Sequence, residues 1–286
     1  MALANVIPEV WRKTVLAGLR KDLPFMKVAN TRFREEVWGT GDTLHILSLG
    51  NLTAQDYAAG SITYEDPSDA TSDLLINLDR YVAFKNEDSV KATSDVNYLS
   101  ELLIDAGYQL GDYFDNQGMA EYANAGLDSF EDGVSTAWQF TADTAANIPA
   151  FYASIRRQLK TANAPAGTQF VIGTPEVEEA TLLYYGGKLA SDKADQVVSN
   201  GLIGNFFGVN LYVSNNCVND SSVDHGLAGV EGTSIAMATD IITDEGIRLE
   251  GRIADGYRML GIGGFKTYRP EISIDVNLNE VTIATS

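Results

Sequence analysis

The chain has 286 residues, 45% hydrophobic and 21% charged, which is enough for one large core or two smaller ones. Its formal net charge of −19 argues against tight nonspecific nucleic-acid binding and against docking on an anionic membrane. The single cysteine, Cys217, excludes an internal disulfide and suits a reducing compartment, and no apolar run reaches the ~20 residues that cross a bilayer.

Charge is unevenly spread. Residues 1–36 carry seven lysines and arginines (Arg12, Lys13, Arg20, Lys21, Lys27, Arg32, Arg34) against four acids (Glu9, Asp22, Glu35, Glu36), so a basic segment leads an acidic body. Such a segment fits an arm lying on acidic surface, for instance a neighbouring copy, or an ordinary solvated amphipathic helix. Pro8, Glu9, Arg12 and Lys13 break up the apolar core a secretion signal needs. Pro8 to Leu23 predicts a helix, with Pro8 and Glu9 in the first turn, a stripe of Trp11, Val15, Leu19 and Leu23, and Pro24 as its stop. Thr43 to Leu49 predicts a strand after Gly41-Asp42. A polar stretch, Gly50 to Asp73, separates it from Leu74, Ile76, Leu78, Val82 and Phe84, which alternate with polar residues as in one strand. Polar stretches of that length are unusual inside a compact domain, so the segment is expected to form a two-stranded arm projecting from the body.

Ser94 to Ala125 predicts one long helix, on the order of 45 Å if wholly helical. Leu99, Leu102, Leu103, Ala106, Leu110, Tyr113 and Phe114 gather on one face, and Thr93, Ser94 and Asp95 are good capping types. Gly107, Gly111 and Gly118 each cost about 1 kcal/mol relative to alanine, so bending is expected. The helix is the beam along which other elements are laid. Leu127 to Asn147 shows no clear pattern. Pro149 to Ala162 predicts a helix, Gln169 to Ile172 a strand, and Thr174-Pro175-Glu176 opens a helix stopped by Gly186-Gly187. Gly208 to Ser214 predicts another strand, so Asn147 to Val218 has the alternation of a compact α/β unit. Thr233 to Thr239 predicts a short strand. Glycine-broken β stretches follow from Ile247 to Phe265, and Ile272, Ile274, Val276 and Leu278 alternate at the end.

Residues that carry chemistry are sparse. One cysteine and two distant histidines, His45 and His225, offer no zinc set, so neither a metal nor a cofactor is expected. Cys217 with His225 is a conceivable nucleophile pair, but a buried cysteine and a loop histidine is the preferred reading. Gly186-Gly187-Lys188 lacks the first glycine and the final Ser/Thr of a phosphate loop. Gly261-Ile262-Gly263-Gly264 leads into a strand, whereas a dinucleotide turn opens a helix. Asp240, Asp244, Glu245 and Glu250 read as a solvated turn and strand face. No catalytic constellation emerges, and an enzyme is not expected.

The order of elements, together with Ile7-Pro8-Glu9-Val10-Trp11, Gly41-Asp42-Thr43, Gly50-Asn51-Leu52-Thr53, Phe207 to Asn216, Ile247 to Tyr257 and Arg269-Pro270-Glu271, resembles the major capsid proteins of tailed bacteriophages with their Hong Kong-type shell fold. The resemblance spans nearly the whole chain. It implies an α+β fold with an N-terminal arm at 1–42, an extended β-hairpin or E-loop with its roots at 43–84, and a peripheral domain with the spine helix at 85–140. An axial α/β domain at 141–235 follows, then strands at 236–286 returning to both domains. It further implies pentamers and hexamers closing into an icosahedral shell around double-stranded DNA, bound without sequence specificity, with no membrane involved. The expected location is the virion capsid, assembled in the host bacterial cytoplasm. The arm begins almost at Met1, which implies a separate scaffolding protein or a segment already removed; portal and cement proteins are further expected partners. The subunit contacts it implies are Trp11, Arg12, Lys13 and Arg20 in the arm, Asn51, Gln55, Asp56, Tyr57 and Tyr64 in the E-loop, and Arg248, Glu250 and Arg252 near the end. An encapsulin shell around protein cargo is the alternative within the same fold, and a soluble enzyme is the alternative from another class.

Overall fold

The computed structural model describes residues 23–33, 41, 43–49, 54, 56, 64–65, 69–88, 97–140, 147–186, 205–251 and 253–279. The expected helix Pro8–Leu23 and the tip of the arm therefore lie outside the described residues, apart from Leu23, Ala54, Asp56, Tyr64 and Glu65. The first described element is a short helix, α1 (Phe25–Val28). Strands β1 (Thr43–Leu49) and β2 (Asp69–Leu75) pair antiparallel in register from Thr43–Leu75 to Leu49–Asp69 and form the two-stranded arm.

The alternation read as one strand from Leu74 to Phe84 is in fact two. β2 ends at Leu75 and β3 (Leu78–Glu87) joins a different sheet. Ile76 between them is fully buried, and its carbonyl accepts the Gly41 N–H at 2.8 Å, so the chain is pinned at the corner where it changes sheet.

The long helix, α2, runs Asn97–Met119 and ends in a 3-10 turn, Ala120–Asn124; at 1.5 Å per residue it is about 35 Å long. Ala106, Leu110 and Phe114, all on the expected face, are buried. The glycines serve close approach. A Cβ on Gly118 would collide with the Phe25 ring of α1, and one on Gly111 would lie 3.1 Å from Leu23. Phe25 itself is fully buried, so the missing side chain lets the N-terminal segment lie directly on the helix.

Strand β10 (Ile235–Arg248) is twice the length expected from Thr233–Thr239. The acids Asp240, Asp244 and Glu245, read as part of a solvated turn and strand face, continue that strand through a bulge between Ile241 and Thr243. An edge strand tolerates such residues because one side of its ladder remains open. Leu249–Ile253 makes the turn into β11 (Ala254–Thr267), which pairs β10 on one side and β3 on the other, giving the order β10-β11-β3.

The third sheet has seven strands. It comprises β4 (Leu127–Ser129), β5 (Gln169–Gly173), β6 (Asn205–Phe206), β7 (Val209–Val213), β8 (Val218–Asp220), β9 (Val223–Val230) and β12 (Ile274–Asn279) in the order β4-β12-β9-β5-β7-β6, with β8 on β9. Helices α3 (Ile148–Thr161) and α4 (Pro175–Gly186) agree with the sequence reading. Ile148, Phe151, Tyr152, Ile155 and Leu159 of α3 bury completely at three- and four-residue steps. They pack with Trp138, Phe140 and Phe206 beneath Ile274, Val276 and Leu278 of β12. The other face of the sheet meets Phe25, Val28 and Met119 through Phe170, Ile172 and Leu227. β12 is covered on both faces, so its polar residues Asp275 and Asn277 are buried as well.

On an open helix face, glycine to alanine gains about 1 kcal/mol. Gly118→Ala should instead destabilise, because overpacking a filled site costs about 1–3 kcal/mol. Gly107, where an added Cβ meets nothing within 4 Å, is the internal control. The denaturant midpoint is expected to fall for Gly118→Ala and rise for Gly107→Ala; a rise for both would show that α1 does not depend on the missing side chain.

Candidate functional site

Both histidines, the cysteine and the glycine run considered for chemistry have structural occupations. His45 faces Asp73 across the arm, with Nδ1 2.6 Å from Oδ1, in the open. His225 on β9 meets both carboxylate oxygens of Asp275 at 3.0 and 2.9 Å and carries the Tyr122 ring stacked 4.1 Å away. Cys217 packs against the cluster around Phe25 and Met119. Burial, reinforced by Asp224, Asp115 and Glu176, pushes its thiol up to about 12. A nucleophilic cysteine needs the opposite surroundings. Gly261, Gly263 and Gly264 lie within β11: a Cβ on Gly261 or Gly263 would come within 3.0 Å of the Phe114 ring, and one on Gly264 would strike the Leu75 carbonyl. Gly187 and Lys188 lie outside the described residues. Among the described residues no group of three His, Cys, Asp or Glu is placed to hold a metal, and no helix is long and apolar enough to cross a membrane.

What the fold offers instead is surface. The arm is rooted by Ile46, Leu74 and Ile76, which pack on Ala236, Ala238 and Ile262 of the three-stranded sheet. Beyond the root Asp56 is exposed and Tyr64 is 86% exposed; Asn51, Gln55 and Tyr57 lie outside the described residues. Further along the same sheet Tyr81 is 74% and Ile253 76% exposed, with Ile241, Ile242 and Ile247 also open. Ion pairs flank this region: Arg258 with Glu245, and Lys85 with Glu87 at 3.1 Å.

Of the expected contact residues at the chain's end, Arg248 is already engaged within its own subunit. Its guanidinium forks onto Asp88 at 2.7 and 2.6 Å and onto Asp255 at 2.9 Å, which holds its proton more tightly than usual. Glu250 is exposed in the following turn. Arg252, like Trp11, Arg12, Lys13 and Arg20, lies outside the described residues.

Sequence reasoning missed a buried clamp. Asp115 of α2 accepts the Phe25 N–H at 3.0 Å, and the Asn216 side-chain amide donates to Asp115 at 3.0 Å and to Asp112 at 2.9 Å. Asp112 and Asp115 are one helical step apart, but no spacing in the sequence links them to Asn216.

No family model and no curated protein matches the sequence. Solved structures do match, end to end. A chain of Mycobacterium phage Che8 superposes with a TM-score of 0.74 at 23% identity, covering 96% of this chain and 98% of that one. The capsid of the cyanophage P-SCSP1u gives 0.70 at 13% identity, covering 96% and 94%. The mature capsid of bacteriophage PhiM1 gives 0.67 at 13% identity, covering 96% and 92%. The chain therefore has the α+β fold of tailed-phage capsid proteins.

The partial burial and raised pKa of Cys217 have a direct check. A thiol reagent at pH 8 should modify the native chain slowly and reach one thiol per chain only after denaturation. Rapid stoichiometric labelling of native protein would place Cys217 in reach of solvent.

Proposed function

We propose that the chain is the major capsid protein of a tailed double-stranded DNA bacteriophage, built on the Hong Kong-type shell fold. Pentamers and hexamers of it would close into an icosahedral shell around packaged DNA. The observation that carries this is the end-to-end correspondence with phage chains, 96% of this chain against 98% of its Che8 counterpart, since a borrowed domain would match only in part. Arm, long helix and both larger sheets all take part. On this reading residues 1–42 are the N-terminal arm, 43–84 the E-loop, 85–140 the peripheral domain with α2 as its spine, 141–235 the axial domain, and 236–286 the returning strands. The role is structural rather than catalytic.

The same reading assigns the contacts. The arm presents Asp56 and Tyr64 with nothing described in its own subunit to cover them, which supports packing on a neighbour. Trp11, Arg12, Lys13 and Arg20 supply an apolar stripe and positive charge for an acidic surface. Scaffolding, portal and cement proteins are the partners such a shell recruits, with assembly in the host cytoplasm and residence in the virion. A net charge of −19 suits a container that holds DNA without gripping it.

Negative-stain microscopy of the purified protein is expected to show closed shells or capsomer rings, and phage particles carrying it should contain DNA. A uniform population of monomers under all assembly conditions, or protein cargo in place of DNA, would overturn the reading.

The arm also bears on how subunits are joined. An isopeptide link needs a lysine amine, deprotonated by its surroundings. Thr43 to Phe84 contains no lysine, and Lys85 just beyond is paired with Glu87. The guanidinium of Arg80 lies over the Tyr113 ring at 4.6 Å. Mature particles boiled in detergent should run as one band at the monomer mass. A ladder of larger bands surviving reduction would show that the shell is covalently locked.

A further inference from the structure

The end of the long helix is fastened at two points. Glu121, in the 3-10 turn after Met119, accepts the Thr267 N–H at 2.9 Å and the Thr267 hydroxyl at 3.1 Å. Next to it, Tyr122 lies nearly parallel to the His225 imidazole, 4.1 Å between ring centres and 17° between planes. The imidazole rests in turn on the Asp275 carboxylate, and the two side chains are only 14% and 11% exposed. His225 belongs to β9 and Asp275 to the adjacent β12. The turn thus roofs a histidine–carboxylate pair at the centre of the seven-stranded sheet.

We infer that Tyr122, His225 and Asp275 form a proton-tightened joint, in which mild acid strengthens the docking of the long helix onto the sheet. The joint does not depend on the shell function. Among the described residues the other charged groups acting on it are acids. Asp128 on β4 is the register partner of Asp275 and raises its pKa, and Asp220, which ends β8, acts on Tyr122.

Burial holds the Asp275 carboxyl up at about 6; attraction to His225 opposes the rise and repulsion from Asp128 adds to it. Lifting the turn would return Asp275 to water and to its ordinary value near 3.8. Above pH 6 the closed joint therefore carries a poorly solvated charge. As pH falls from about 6 to 4 the closed form takes up a proton that the open form does not, so closure gains. Below that range both forms hold the proton and the gain is complete.

Hydrogen exchange of the full chain at pH 5 and pH 7, corrected for intrinsic exchange, reads the joint directly. The reporters are the Ala125 amide, bonded to the Tyr122 carbonyl at 2.9 Å, and the Gly126 amide, bonded to the Pro270 carbonyl at 2.9 Å. Their protection should be about tenfold greater at pH 5. The β5–β7 pairing around Val171 and Leu211 is the reference and should change far less. Asp275→Asn, neutral and of the same shape, should abolish the step while keeping protection. Asp128→Asn removes a repulsion and should move the step to lower pH, which decides the matter even if Asp275→Asn does not fold. A missing step, one that survives Asp275→Asn, one unmoved in Asp128→Asn, or an equal step in β5–β7 would each overturn the joint.

Discussion

The carboxylate of Asp115 has no exposure to solvent, and three distant stretches of chain meet on it. One oxygen takes the Phe25 N–H and the other the Asn216 amide, contacts that span 90 and 101 residues of sequence. Burial raises the Asp115 pKa, the hydrogen bonds lower it, and nearby Asp112 raises it again. Losing a partner from such a group leaves an unsatisfied buried donor or charge, at about 1–3 kcal/mol or more. The clamp therefore fixes where the N-terminal segment starts, how the long helix meets the loop after β7, and so how the two larger sheets are arranged about that helix. Whatever residues 1–22 do, they leave from an anchored point.

A second constraint, on packing, works alongside it. β11 is approached from both faces at one place: Phe114 of α2 on Gly261 and Gly263, and the corner between β2 and β3 on Gly264. Side chains at those three positions would push the helix and the arm root away from the sheet by roughly the width of a methyl group each. The glycines thus set the exit of the arm relative to the helix. Together with the Asp115 clamp, this positions both Phe25 and the root of the arm by reference to the same helix.

The sequence is readable where a pattern is local. The faces of α2 and α3 and the opening of α4 at Pro175 depend on spacing within about 20 residues, and the structure bears them out. It misleads where long-range pairing decides. Nothing local shows that Ile76 is a corner rather than mid-strand, or that β10 runs on through Asp240 and Asp244, because the partner strand lies across a turn. It is silent where function is a meeting of single residues: the Asp115–Asn216 clamp and the Tyr122–His225 stack leave no motif. The glycine run at 261–264 is visible, but its meaning is not, since close approach by a distant aromatic cannot be seen in spacing.

On the proposed capsid reading, copies of an acidic chain would have to offset mutual repulsion to assemble. The ion pairs along the three-stranded sheet do little of this: exposed pairs such as Lys85–Glu87 contribute about 0–1 kcal/mol each and are screened by salt. Apolar contact contributes more, at about 25 cal/mol per Å² removed from water. The root of the arm covers one part of the sheet around Ala236, Ala238 and Ile262, while Tyr81, Ile241, Ile242, Ile247 and Ile253 stay open further along. An isolated subunit gains nothing from leaving those side chains wet. Their concentration on one three-stranded sheet and its connecting turn, flanked by charges already matched within the subunit, is what association between like-charged copies requires: attraction from apolar area, and charge kept from opposing it.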